Sequence, residues 1–219
     1  MNREVILRLS KYRRLLQKLK ILGLEKVFSN NLGDALGVTP ALVRKDFSNL
    51  KITGNKRGGY IIDDLIASID LILGKDHIRE IVVVGCGKIG AALLQYRGLE
   101  RDGIKIAAGF DLKPEKVSYK GEIPVLEIGE LENFIKTRQI KVGVISVPES
   151  AATDVFEKMI NAGIIGFLNF SPVELKYNKD SQLFDNNNSY IINNINLAVE
   201  IENLFFYVNN RQQIDLEDK

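Results

Sequence analysis

The sequence predicts an α/β protein in three parts. A small helical domain comes first, then a larger domain of alternating strands and helices on a parallel sheet, then one apolar helix at the C-terminal end. Three observations carry this. Positions 5, 9, 12, 16 and 19 are apolar and fall on one face of a first helix. From residue 80 onward, short β-branched runs alternate with amphipathic helical stretches, the pattern of a parallel sheet covered by helices. Between them, Gly74-Lys75-Asp76 interrupts the apolar pattern, placing the domains at 1–75, 76–192 and 193–219.

In the first domain, Arg8, Lys11, Arg14 and Lys18 ride beside the apolar face of the first helix, and Gly23 ends it. Ser29 is placed to cap a short helix over Asn30–Leu36, with Gly37 as its left-handed stop. Thr39 is placed to cap the next helix by accepting backbone N–H bonds, and Pro40 takes its first position, where a missing N–H costs nothing. Leu42, Val43, Phe47 and Leu50 form its buried side, leaving Arg44, Lys45 and Ser48 facing outward. Two short helices joined by a glycine turn read as a helix-turn-helix. Ile52–Ile62 reads as a hairpin with a basic, glycine-rich tip, a wing, and Asp63–Leu73 as a linking helix with apolar Leu65, Ile66, Ile69 and Leu73.

Charge is split unevenly. Residues 1–75 hold 14 Lys/Arg against 7 Asp/Glu, and the remainder holds 16 against 21. A basic head on an acidic body suits a polyanion-binding domain, although a solvated basic face gives the same count. The helix-turn-helix points to double-stranded DNA. The residues expected to face it are Thr39, Ala41, Arg44, Lys45 and Ser48 on the second helix, and Lys56, Arg57 and Gly58 on the wing. With 45% hydrophobic and 26% charged residues, the composition is that of a soluble globular protein. No run approaches the roughly 18 apolar residues of a membrane helix, and the N-terminus has no apolar signal region. A single cysteine excludes an intrachain disulfide and fits a reducing cytoplasm. Neither a membrane nor a metal is expected as a partner.

In the second domain, strands are expected at Glu80–Val84, Lys105–Asp111, Val142–Val147 and Gly166–Asn169, with another near Ser189–Ile192. Helices are expected at Gly87–Gln95, Ile128–Lys136 and Ser150–Ala162, and a polar loop at Asn178–Ser189. The run from Val82 to Gly90 is a buried strand entering a glycine turn that opens a helix, the dinucleotide-binding signature of a Rossmann-like domain. Gly85 allows the tight turn, Gly87 lets the backbone approach a pyrophosphate, and Gly90 lets the helix pack closely on the sheet. Asp111 ends the second strand 21 residues after Gly90, close to the spacing of about 20 expected of an acid that binds the adenosine ribose. A carboxylate there favours NAD over NADP, and Lys113 softens that preference. Gly85, Cys86, Gly87, Lys88, Ile89, Gly90, Asp111, Leu112 and Lys113 are therefore the expected contacts to NAD⁺/NADH. Cys86 reads as a small side chain in a crowded turn, with a redox thiol as the alternative.

A nicotinamide enzyme needs a group to move a proton with the hydride. The only histidine, His77, precedes the first strand, at the end opposite the expected cofactor crevice. No Tyr-x-x-x-Lys pair stands out, so a sensor is favoured over an enzyme. A small NAD-dependent oxidoreductase and a CoA- or nucleotide-binding module remain as alternatives. The last segment, Leu197–Val208, carries an apolar stripe of Leu197, Ile201, Leu204, Phe205 and Val208 that is too hydrophobic to stay exposed.

Several segments together resemble the Rex family of bacterial redox-sensing repressors over nearly the full length. They are Val43-Arg44-Lys45-Asp46-Phe47-Ser48, Gly58-Gly59-Tyr60, the run from Val84 to Leu93, Phe110-Asp111, Val147-Pro148, Ala162-Gly163-Ile164 and Leu168-Asn169-Phe170-Ser171-Pro172-Val173. The resemblance implies a winged-helix domain, a Rossmann domain, and a C-terminal domain-swapped helix exchanged within a homodimer. It implies DNA binding compatible with NAD⁺ and relieved by NADH. By position it places Val147, Pro148, Asn169, Phe170 and Ser171 at the nicotinamide end, and Arg14, Tyr96 and residue 196 in a network reporting cofactor state. Residue 196 departs from the pattern: Asn196 stands where similar proteins tend to have Asp, and Asn cannot form a charged pair with Arg14. A relative with a weakened or altered ligand response is the corresponding alternative.

Overall fold

The apolar spacing at the N-terminus produces α1 (Arg3–Ile21), whose Leu9, Tyr12 and Leu16 are fully buried. In the computed structural model, residues 3–52, 58–75, 77–176 and 190–210 are described. The chain divides into two units, Met1–Ile78 and Arg79–Lys219.

In the first unit, α1 is followed by β1 (Lys26–Val27), α2 (Ser29–Leu36), α3 (Pro40–Asn49), β2 (Tyr60–Ile61) and α4 (Ile62–Ile72). Val43 and Phe47 of α3 bury against Tyr12 of α1 and Ile69 of α4, with the Tyr12 and Phe47 rings edge to face at 5.3 Å. Gly37 ends α2 with φ of 67°, and the Thr39 hydroxyl accepts the Leu42 N–H at 3.2 Å, as the sequence predicts. One expectation changes. Ser29 is the first residue of α2, not its cap: Phe28 holds that position, and its N–H donates to Asn31 Oδ1 at 3.1 Å. At the end of the expected Ile52–Ile62 hairpin, β2 pairs antiparallel with β1, Val27 opposite Tyr60. Gly59, at φ of 70°, lets that pairing close: a Cβ there would lie 2.7 Å from the Val27 carbonyl oxygen. Residues 53–57, which include Lys56 and Arg57 of the expected wing, lie outside the described residues.

The second unit is built on β3 (Arg79–Val84), β4 (Ile104–Asp111), β5 (Val125–Glu127), β6 (Val142–Ile145), β7 (Gly166–Asn169) and β8 (Ile191–Asn194). All pairings are parallel, in the spatial order β5-β4-β3-β6-β7-β8. Numbered within the sheet, that is the 3-2-1-4-5-6 order of a doubly wound fold, with the switch point between β3 and β6. The crossovers are α5 (Lys88–Gln95) with the short α6 (Gly98–Arg101), α7 (Leu131–Arg138), and α8 (Glu149–Ala162). β3 explains the two-sided burial. Val82 and Val84 join the core with Phe110, Leu131 and Phe156, and Val83 joins Cys86, Leu94 and Val144 on the other face.

β5 and α6 are not anticipated by the sequence reading, and Ile128–Glu130 forms a 3₁₀ turn ahead of α7 rather than its first turn. The strand predicted to reach Val147 ends at Ile145, one residue before the last bond to β3, in which the Ser146 N–H donates to the Val84 carbonyl at 2.8 Å. Residues 177–189, which hold most of the expected polar loop, lie outside the described residues. Last comes α9 (Leu197–Asn209), with no buried residue.

Candidate nucleotide site and nucleic-acid face

The loop after β3 is shaped by its glycines. Gly85 has φ of 90°, and a Cβ there would lie 2.6 Å from the Ser146 carbonyl oxygen. At Gly90 a Cβ would run into the Gly85 carbonyl oxygen, so the first turn of α5 packs directly on the loop. Gly87 differs: nothing lies within 4 Å of where its Cβ would be. That open space borders a cavity of about 850 Å³ at the β3–β6 switch point, within the roughly 300–1,000 Å³ of ordinary ligand pockets. Here the N-terminal turn of α5 has backbone N–H groups without intrahelical partners, suited to a pyrophosphate. The chain thus fits a dinucleotide on its geometry.

Asp111 closes one side. Its carboxylate accepts the Cys86 N–H at 2.8 Å and the Lys113 N–H at 3.0 Å, which fixes both oxygens at the end of β4. Among the predicted cofactor residues, Gly85, Gly87, Lys88, Ile89, Asp111, Leu112, Lys113, Val147, Pro148 and Phe170 line the cavity. Cys86, Gly90, Asn169 and Ser171 stand behind or beside it. Cys86 is buried against Gly109, and burial, then the Asp111 charge, push its thiol up to about 12. That favours the packing reading over a redox thiol. Asn169 is fully buried: its amide donates to the Val173 carbonyl at 2.7 Å and to Asn194 Oδ1 at 2.9 Å, and its own Oδ1 accepts the Ser171 N–H at 2.9 Å. Ser171 borders a smaller cavity of about 330 Å³ beside the start of α9.

The sequence reading missed several cavity residues. Ser146 donates its hydroxyl to the Gly85 carbonyl at 2.7 Å and pins the glycine loop to β6. Ala151, Asp154, Val155 and Lys158 present one face of α8 to the cavity. Their spacing of three, four and seven is visible in the sequence, but nothing there says which face of the helix meets a ligand.

In the helix-turn-helix, Thr39, Ala41, Arg44, Lys45 and Ser48 are all exposed, and Gly58 is half-buried. The Arg44 guanidinium donates to Ser29 Oγ at 3.1 Å, linking the middle of α3 to the first residue of α2. The residue between the basic pair and Phe47 is the surprise. Asp46 is buried, receiving Arg8 through two bonds of 2.7 and 2.9 Å and the Tyr12 hydroxyl at 3.1 Å. The Arg8 guanidinium holds its carboxyl below the usual range. Arg13 similarly pairs with Asp70 of α4. Of the expected switch residues, Arg14 is exposed in the first unit. Tyr96 is exposed in the second and lies over Gly98. Asn196 caps α9, its Oδ1 accepting the Ala198 and Val199 N–H groups at 3.1 and 3.3 Å. No helix is long and apolar enough to cross a membrane among the described residues.

Comparison with known proteins gives two family matches. Residues 76–173 match the family described as "CoA binding domain", and residues 3–48 the family described as "Putative DNA-binding protein N-terminus". A protein of Clostridium botulinum (strain Eklund 17B / Type B), named redox-sensing transcriptional repressor Rex, is 32% identical over 209 residues, covering 95% of each chain. Among solved structures, RSP in complex with β-NAD⁺ and operator DNA is similar with a TM-score of 0.82 and 26% identity, over 99% of this chain and 96% of that one. RSP in complex with β-NADH has a TM-score of 0.77 and 26% identity, over 100% and 99%.

Proposed function

The chain belongs to the Rex family of redox-sensing transcriptional repressors, and on that premise we propose that it binds operator DNA through its N-terminal unit and reads NAD⁺ against NADH in its second unit. One observation carries the reading. A single chain joins a helix-turn-helix whose basic face is exposed to a switch-point cavity with a glycine cradle and a fixed acid.

Arg44 is the base-reading residue, since a guanidinium reads guanine in bidentate fashion. Its bond to Ser29 orients it before DNA arrives. Lys45 contacts phosphate and positions without specifying, as do Lys56 and Arg57 of the wing. In the second unit, the α5 N-terminus and Gly87 hold the pyrophosphate, Asp111 the adenosine ribose, and Val147, Pro148 and Phe170 the nicotinamide side. Asn169 and Ser171 act as positioning residues for that wall. The protein is a regulator that reads the nicotinamide without turning it over. NAD⁺ is compatible with DNA binding, and replacement by NADH releases the operator. Such a switch needs NADH to bind the DNA-incompetent arrangement more tightly than NAD⁺ does.

The working form is a homodimer in the cytoplasm. Leu197, Ile201, Leu204, Phe205 and Val208 of α9 are each more than half exposed, which is what supports an exchanged helix covered by a second copy. A two-fold dimer implies a near-palindromic operator with half-sites about 10 base pairs apart, or a multiple of that. Fluorescence anisotropy on such DNA, with NAD⁺ and NADH titrated separately, tests the reading. NADH is expected to lower DNA affinity while NAD⁺ leaves it intact; unchanged affinity across both titrations removes the sensing function.

A further inference from the structure

The loop after β7, residues 170–175, stands between two spaces. Phe170 and Pro172 line the nucleotide cavity, and Ser171, Pro172, Val173 and Glu174 line the smaller cavity beside the start of α9. The loop is folded on one buried amide. Asn169 donates its Nδ2 to the Val173 carbonyl, and its Oδ1 accepts the Ser171 N–H. A second amide holds the loop from outside. Asn194, the last residue of β8, accepts the Leu175 N–H and donates to the Leu175 carbonyl, both at 3.0 Å, and its Oδ1 also accepts Asn169 Nδ2 at 2.9 Å. Three bonds from one carboxamide therefore tie both ends of the loop to the end of β8. The backbone is in register at this point, Asn169 opposite Asn194, and the Ile195 N–H donates to the Asn169 carbonyl at 2.8 Å. Two residues beyond Asn194, Asn196 caps α9.

We propose that Asn194 is a positioning residue that carries the state of the nicotinamide wall to the root of α9. This assignment rests on the reading above, in which Phe170 stands on the nicotinamide side and α9 is exchanged between subunits. A carboxamide engaged at both its oxygen and its nitrogen follows the loop when the loop shifts, because staying behind would leave polar groups of a buried network unsatisfied. Asn169 makes the loop move as one piece, and Asn194 exports that movement. Ile195 and Asn196 follow through the chain, and the cap of α9 moves with them. Asn194 lines the smaller cavity and not the nucleotide cavity, so it acts through the loop and not through contact with the dinucleotide. Its bonds are those of a neutral amide. They need no charged pair of the kind that Asn196 cannot form with Arg14.

The test measures DNA affinity of the full-length protein by anisotropy in NAD⁺ and in NADH, with NADH affinity taken separately by calorimetry. Asn194 lies at the exposed end of an edge strand, so alanine is accommodated there, and a melting curve checks the fold. Asn194→Ala is expected to shrink the NAD⁺-to-NADH ratio of DNA affinities about fivefold, within the range that a residue on a coupling network changes. Its NADH affinity and its DNA affinity without nucleotide are expected to stay close to wild type. Asn194→Asp keeps both accepted bonds and loses only the one donated to Leu175, so it is expected to restore most of the ratio. A purely structural role would lower the melting temperature and leave the ratio untouched. A wild-type ratio in Asn194→Ala therefore overturns the assignment, as does an aspartate variant that switches no better than the alanine one. Loss of NADH binding in the alanine variant also overturns it, because Asn194 would then support the cavity and not transmit from it. A wild-type protein with equal DNA affinity in NAD⁺ and NADH is a different result, which removes the sensing function and this assignment together.

Discussion

Asp46 is a residue whose place in the sequence hides its role. It follows Arg44 and Lys45, yet it points inward and anchors α3 to α1 through Arg8 and Tyr12. Removing one member of a buried ion pair leaves the other charge stranded, at a cost of about 3–5 kcal/mol. Because Arg8 keeps some solvent contact, Asp46→Ala is expected to cost about 3 kcal/mol, the low end of that range, in chemical denaturation. The Asp46 pKa is lowered on folding, chiefly by its hydrogen bonds to Arg8. Its contribution is therefore present above the ordinary carboxylate value of about 3.9 and is lost as pH falls through the lower folded value. Asp46→Asn is expected to flatten that acid limb of the stability curve. Cys86 gives a second residue-scale expectation. With the thiol raised to about 12 and buried, a thiolate-specific reagent is expected to label native protein only at the rate at which it unfolds.

At the level of elements, the glycine loop separates packing from binding. Gly90→Ala is expected to destabilise by about 1–3 kcal/mol, as overpacking does, because its Cβ meets the Gly85 carbonyl. Gly87→Ala meets open space, so its unfolding midpoint is expected to hold while affinity for NADH falls roughly tenfold, about 1.4 kcal/mol. Equal loss of stability in both variants would contradict this division. The β3-turn-α5 motif and Asp111 were legible because each local demand leaves a residue type at a fixed spacing. Thr39, Pro40 and Gly37 were legible for the same reason. β5 was not, since three residues at a sheet edge carry too little pattern. The pairing of β2 with β1 was not, because the partner lies more than thirty residues upstream, joined by two-residue strands. That Asn169 is a buried hydrogen-bonding hub was not legible, because a sequence shows that an amide is present but not which way it faces.

Across the whole molecule, the basic head is expected to reveal itself through salt. Each phosphate contact contributes a slope of about 0.9 in log affinity against log salt. Lys45→Ala is expected to reduce that slope by about this amount per subunit, and Arg44→Ala to relax sequence preference instead. Phe205→Glu, on the exposed stripe of α9, is expected to yield monomers in light scattering. The bare surface of α9 also has a consequence for supply. In the proposed homodimer, where a second copy covers this helix, folding stability becomes a function of protein concentration, by mass action. The melting temperature should then rise on concentrating the protein and fall on dilution. A cell making few copies would hold fewer competent molecules than the transcript count implies, so the threshold for silencing a gene is set partly by self-association.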